Sequence, residues 1–323
     1  MQNKKVVILG AGGTIAGMAS NTSGNALSNV EYTAGEVGVA DLLEAIPVLR
    51  QSNLIETEQV AQVDSKDMSF TVWTALATRV QYHLARVDVA GVVITHGTDT
   101  LEETAYFLQA VLNPAKPVVL TCAMRPASAL APDGPQNLLD AVTVANHEGA
   151  HGVVVVCAGT IHSAADVQKI HTYQLNAFGS GDAGVIGFIE ENTLKITRNW
   201  PVAREIQAQR ATENIAILCR THAWPVVEIV MSYAGASCAP VDALVAIGVR
   251  GLVVAGTGNG TVHKVLEAAL MKAQAQGIEV VRATRCNQGR VLPRTDDRFA
   301  SSNGLSPVKT RIALMLRLMG IGA

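Results

Sequence analysis

Val6-Val7-Ile8-Leu9-Gly10-Ala11-Gly12-Gly13-Thr14-Ile15-Ala16-Gly17 sets the architecture. Four consecutive apolar residues run straight into a glycine-rich loop that contains a single hydroxyl residue. A strand that is apolar on both of its faces is one covered by helices on both sides, as in a parallel α/β sheet. The same signature returns at Val92–Thr95, Val118–Thr121 and Val153–Val156, each run bounded by Gly or Pro. Between these strands Leu101–Leu112 reads as a helix. Thr100 and Glu103 stand at capping-box spacing at its start, and Pro114 follows its end. A second helix is expected from Pro135, a residue suited to the first helical turn, towards Asn146.

From Trp200 to about Glu213 the chain turns polar, with Pro201 and scattered Arg and Gln residues, and reads as an inter-domain linker. Alternation then resumes with a strand over Ile215–Cys219, a helix over Val241–Ile247 and a strand over Leu252–Ala255. A helix over Val262–Gln276, a strand over Ile278–Arg282 and a last helix over Pro307–Met319 follow. The expected fold is α/β, with two parallel-sheet domains. The larger N-terminal domain takes residues 1–199, the linker 200–213 and the smaller C-terminal domain 214–323. No fixed-period repeat is present.

Composition narrows the function. The 323 residues are 49% hydrophobic and 16% charged, which requires extensive burial and excludes disorder. The low charge and mean hydropathy of +0.25 point to surface covered between subunits. Twenty-five Lys and Arg against 27 Asp and Glu leave a net charge of -2, with no basic excess for a nucleic-acid partner. The five cysteines, Cys122, Cys157, Cys219, Cys238 and Cys286, lack zinc or redox spacing and read as reduced core thiols. No apolar run reaches membrane-spanning length, and the start of the chain carries no signal-peptide pattern. A cytoplasmic location is expected, or a periplasmic one if a signal peptide precedes this numbering.

In open α/β sheets chemistry gathers where strands end and loops lead into helices. The first such loop, Gly10–Gly17, resembles a dinucleotide-binding turn, but Ile15 occupies the third position of that fingerprint. Met18–Gly38 then offers neither a crossover helix nor a strand ending in an acid, which disfavours a nicotinamide enzyme. The bland reading is a tight turn whose glycines serve only the backbone. Against it stands Thr14, a hydroxyl among glycines, followed by a long polar segment of the kind that forms lids. The second loop, Thr95-His96-Gly97-Thr98-Asp99-Thr100, sets hydroxyls and a carboxylate at a strand end beside a helix N-terminus. Helix capping explains one of those polar residues, not all of them. His96 reads as a buried, hydrogen-bonded histidine rather than a catalytic one, and no second ligand stands at metal spacing.

Together these loops resemble the bacterial-type L-asparaginase family, which includes the glutaminase-asparaginases. Gly12–Gly17 and His96–Thr100 carry the resemblance. Met124-Arg125-Pro126, Asp133–Leu138 and Gly256–Gly260 extend it into both domains. The resemblance implies hydrolysis of L-asparagine, with lesser activity on glutamine, and no cofactor. It also implies a homotetramer with active sites between subunits. Residue by residue it makes Thr14 the nucleophile that forms an acyl-enzyme, and Tyr32 its lid partner. Thr98 and Lys169 become the second threonine and its lysine. Ser65 and Asp99 hold the substrate's α-carboxylate and α-ammonium, with Lys66 beside them and Asn259 assisting from the second domain. A threonine hydroxyl needs a nearby base to attack an amide, and the developing oxyanion needs N–H donors.

Two positions depart from the family pattern. Lys66 stands where relatives carry a glutamine, and a cation there opposes an ammonium unless it pairs with an acid. Arg294 or Thr295 stands where relatives donate a carboxylate to the neighbouring subunit, with Asp296 alongside as the alternative donor. The alternatives are therefore an amidohydrolase with glutaminase or other amide specificity, or a non-catalytic amino-acid-binding relative. A tRNA amidotransferase subunit shares the fold but would carry a further N-terminal domain.

Overall fold

The structure is a computed structural model that describes residues 4–19, 32–33, 38–44, 46–201 and 207–322. It divides into two compact units, Met1–Leu218 and Cys219–Ala323.

The first unit is built on an eight-stranded sheet. Its spatial order is Thr193–Ile196, Gly187–Glu190, Thr160–Ser163, Gly152–Cys157, Pro117–Thr121, Val89–Thr95, Lys5–Gly12 and Ile55–Val63. The last five are parallel to one another, and the first three are antiparallel additions at one edge. The sheet is thus mixed rather than wholly parallel. The short edge strands alternate in burial, buried and exposed along Gly187–Glu190, so they lack the continuous apolar signature of the interior. The Ile55–Val63 strand is also absent from the sequence reading. Its residues, Ile-Glu-Thr-Glu-Gln-Val-Ala-Gln-Val, form a half-buried edge.

Among the parallel strands, chain order 1 to 5 maps to the spatial order 2-1-3-4-5, the doubly wound arrangement seen in flavodoxin-like sheets. Its switch point lies between Lys5–Gly12 and Val89–Thr95. Side chains alternate across the pleat. Val6, Ile8, Val93, Val119 and Val154 share a buried cluster with helix Gly134–Ala145 and with helices Val39–Glu44 and Pro47–Arg50. Helices Phe70–Leu84 and Leu101–Leu112 pack together on the other face. There the Trp73 and Phe107 rings stack with centroids 4.8 Å apart.

The second unit has four parallel strands in sequential order: Val227–Met231, Gly251–Gly256, Glu279–Thr284 and Ala300–Ser301. Helices Ala239–Ala246 and Lys264–Ala275 contribute Val241, Leu266 and Leu270 to one core. Helix Pro307–Leu318 lies against the same strands. A Cβ on Gly251 would come within 2.7 Å of Leu314 Cδ2, which shows how closely that helix approaches.

One expected strand is overturned. Ile215–Cys219 belongs to a helix, Gln207–Arg220. Ala211, Ile215 and Leu218 are its buried residues, and their spacing of four and three is a helical stripe. The short apolar run Ile-Ala-Ile-Leu-Cys satisfied either period, and packing selected the helix. The cysteines are also not uniformly core residues, since Cys219 and Cys286 are exposed.

Candidate functional site

The two threonine loops leave adjacent parallel strands at the switch point, with Gly10 paired to Thr95 in the ladder. Gly12 and Gly13 take φ of +98° and +87°, backbone that side-chain-bearing residues rarely adopt. A Cβ on Gly13 would lie 2.2 Å from the Gly97 nitrogen, so the loops touch backbone to backbone. Thr14 and Thr98 each stand one residue beyond this contact, both nearly buried at 5% and 7% exposure. Ile15, which disfavoured a dinucleotide site, packs instead on Gly134, where a Cβ would meet Ile15 Cγ1 at 2.9 Å.

The third element is the loop after Ile55–Val63. Ser65 is buried and hydrogen-bonded twice to the second threonine loop. Its Oγ accepts from the Asp99 N–H at 3.2 Å, and its carbonyl accepts from Thr100 Oγ1 at 2.7 Å. The Thr100 hydroxyl is therefore committed to Ser65 and makes no cap bond to its own helix, so the expected capping box is not formed. Ser65 Oγ, having accepted, keeps its own hydrogen free to donate to a ligand.

Lys169 comes from the chain just after strand Thr160–Ser163. It lies in the short strand Gln168–Lys169, paired with Phe178–Gly179. Its Nζ donates to Thr98 Oγ1 at 2.8 Å and to Asp99 Oδ1 at 2.6 Å. Its backbone N–H donates to Glu102 Oε1 at 3.2 Å. Glu102 was not among the expected residues. It sits in the first turn of a helix, where an acid is explained by the helix dipole alone.

His96 is fully buried. Nδ1 lies 2.7 Å from Gly97 O, which can only accept, so Nδ1 carries the hydrogen. Nε2 then accepts from Thr104 Oγ1 at 2.9 Å, and that hydroxyl accepts from Trp73 Nε1 at 2.8 Å. Burial pushes the imidazole down to about 4, and it is neutral at physiological pH. It braces the Gly97 carbonyl, as the buried-histidine reading expected.

The remaining expected residues are placed less centrally. Lys66 is exposed and its ammonium is paired with Asp64, with Asp67 3.8 Å away. The hydrogen bond to Asp64 holds it above its ordinary range. Tyr32 pairs through its backbone with Ala19, and its side chain lies outside the described residues. Asn259 belongs to the second unit. There its Oδ1 accepts from Leu292 N at 2.7 Å and its Nδ2 meets Leu292 O at 3.5 Å. The Arg294 N–H donates to Asp297 Oδ2 at 2.8 Å. Within the first unit, then, Ser65, Thr98, Asp99 and Lys169 form one hydrogen-bonded group, with Thr14 on the loop pressed against it. Among the described residues no group of three or more His, Cys, Asp or Glu is poised to hold a metal.

Comparisons with known proteins cover both units. Residues 5–202 match the model of the asparaginase N-terminal domain, and residues 226–320 that of the glutaminase/asparaginase C-terminal domain. L-asparaginase 2 of Bacillus subtilis (strain 168) is 38% identical over 319 residues, covering 96% of this chain and 81% of that protein. L-asparaginase 2 of Escherichia coli (strain K12) is 37% identical over 321 residues, covering 97% and 88%. The crystal structure of the probable cytoplasmic L-asparaginase from Campylobacter jejuni superposes with a TM-score of 0.88 at 36% identity. It covers 98% of this chain and 95% of that one. With both domain models matched in order and identity sustained over nearly its whole length, the chain belongs to the asparaginase family.

Proposed function

We propose that this protein hydrolyses L-asparagine to L-aspartate and ammonia through an acyl-enzyme on Thr14. Membership of the asparaginase family makes it an amidohydrolase. The observation that carries the finer reading is the Lys169–Thr98–Asp99 triad beside the buried Thr14 loop.

In this reading Thr14 Oγ1 attacks the side-chain amide carbon and ammonia leaves with a proton. A water then cleaves the ester, with Thr98 and Lys169 passing its proton. The relay hands that proton to the departing Thr14 Oγ1, so Lys169 ends as it began, and Asp99 holds it in place. Ser65 Oγ donates to the substrate α-carboxylate, and the outer oxygen of Asp99 receives the α-ammonium. Asn259 assists from the second domain, and Tyr32 closes over the nucleophile. No cofactor takes part. The assembled form is a homotetramer, and the cytoplasm is its compartment.

A second reading, hydrolysis of glutamine or another amide, rests on Lys66 and Arg294, both cations at substrate-facing family positions. The test is ammonia release from asparagine and glutamine in parallel, with Thr14→Ala and Thr98→Ala variants. Each variant is expected to lose at least about a thousandfold in turnover while keeping its fold. Near-normal turnover in both would remove the mechanism. Release from glutamine alone would move the assignment to the second reading.

A further inference from the structure

Shortly before Lys169 in the chain, Asp166 closes a turn against the end of strand Thr160–Ser163. The Ser163 hydroxyl donates to Asp166 Oδ2 at 2.6 Å and accepts from the Asp166 N–H at 3.2 Å. The Ser163 carbonyl accepts from the N–H groups of Asp166 and Val167, at 3.2 and 3.0 Å. Ser163 and Val167 are both buried, so the turn is fixed at each end and leads directly into Gln168–Lys169.

A second element ties this turn down. Arg198 follows the edge strand Thr193–Ile196. Its backbone N–H donates to the Ile186 carbonyl at 3.1 Å, and its Nη2 donates to Asp166 Oδ2 at 2.8 Å. One carboxylate oxygen therefore serves the turn and the arginine together. The Arg198 Nε is buried and meets no acceptor among the described residues. An unmet buried donor is unfavourable, so the contact with Asp166 is what holds the side chain in place. A solvated surface ion pair would contribute little. Here the two side chains are only 34% and 27% exposed, and the shared oxygen couples the pair to the turn.

We propose, given the part in hydrolysis proposed for Lys169, that Arg198 is a positioning residue: through Asp166 it fixes the turn from which Lys169 reaches Thr98 and Asp99. Lys169 Nζ keeps bonds of 2.8 and 2.6 Å to those two partners. A displacement of about 1 Å in such a group can cost about a hundredfold in rate. Ser65 stays bonded to the Asp99 N–H without Arg198, so the arginine acts on turnover rather than on substrate capture.

The test is steady-state asparagine hydrolysis by the full chain. Arg198→Ala is expected to lower kcat at least about fivefold, with KM changed less than about twofold. Arg198→Lys, which keeps the charge, should recover most of that loss. Asp166→Asn should give the same split from the other end, and it carries the test if circular dichroism shows Arg198→Ala unfolded. In a Lys169→Ala background, Arg198→Ala should cost less than about twofold more, because the group it positions is gone. An equal loss in both backgrounds would make Arg198 merely structural and overturn the proposal, as would an unchanged kcat in Arg198→Ala. Near-normal turnover of Lys169→Ala would instead remove the part assigned to Lys169 itself, and the positioning role with it.

Discussion

Lys169 reaches Thr98 Oγ1 and Asp99 Oδ1 with the same nitrogen, so neither partner can be altered without moving the lysine. Lys66 behaves differently. Its charge is spent between Asp64 and Asp67 at the surface, where an ion pair is screened. Lys66→Gln is therefore expected to change the KM for asparagine by less than about threefold. A larger drop in steady-state KM would show that the cation does oppose the substrate ammonium. His96 gives a pH prediction. Its folded-state value of about 4 lies below the usual 6.5, so the unfolded chain binds the proton more readily. The native state is thus undiminished above pH 6.5 and loses roughly 3 kcal/mol as pH falls from 6.5 to 4. Denaturant unfolding at pH 7, 5.5 and 4.5 should show that slope, and His96→Asn should flatten it. An equal slope in the variant would place the acid sensitivity elsewhere. The threonines, Asp99 and His96 were legible because each sits in a short motif at a strand end. Thr104, Trp73 and Glu102 were not, because their polar atoms are recruited across helices by packing.

Glycine loops and strand ends act together at the scale of elements. Gly13 admits the second loop only because it lacks a side chain, and its φ of +87° is strained for anything else. Gly13→Ala should therefore cost activity at least about a hundredfold through displacement of Thr14, with the sheet retained by far-ultraviolet circular dichroism. Retained turnover would mean that the loops separate without penalty. The interior parallel strands of the first sheet and two covering helices, Leu101–Leu112 and Gly134–Ala145, were legible from continuous apolar runs and Pro or Gly boundaries, whereas helices Val39–Glu44, Pro47–Arg50 and Phe70–Leu84 were not read. Nor were the edge strands and the Gln207–Arg220 helix. At an edge one face meets solvent, so the sequence turns mixed, and a five-residue apolar run fits both periods. The helix became identifiable only when Ala211, Ile215 and Leu218 were seen buried together.

The whole molecule is 49% hydrophobic with 16% charged residues, and its described surface leaves residues such as Leu130, Ile247 and Tyr173 largely exposed. Apolar surface of this kind is what subunit contacts cover. Light scattering on the purified protein should return four times the 33.9 kDa chain mass. A catalytically active monomer would contradict a site completed between subunits. Among the described residues no helix is long and apolar enough to cross a membrane. By itself the sequence determined the α/β class, the two-domain order and the loops that carry hydroxyls and acid. These are local properties, fixed by side-chain period and by glycine at tight turns. Only the tertiary structure decided which of those residues meet. Thr98 and Lys169 are 71 positions apart, and Ser65 and Asp99 are 34 apart. Such contacts follow from strand order around the switch point and from which backbones can touch, and neither is written in any local stretch of the chain.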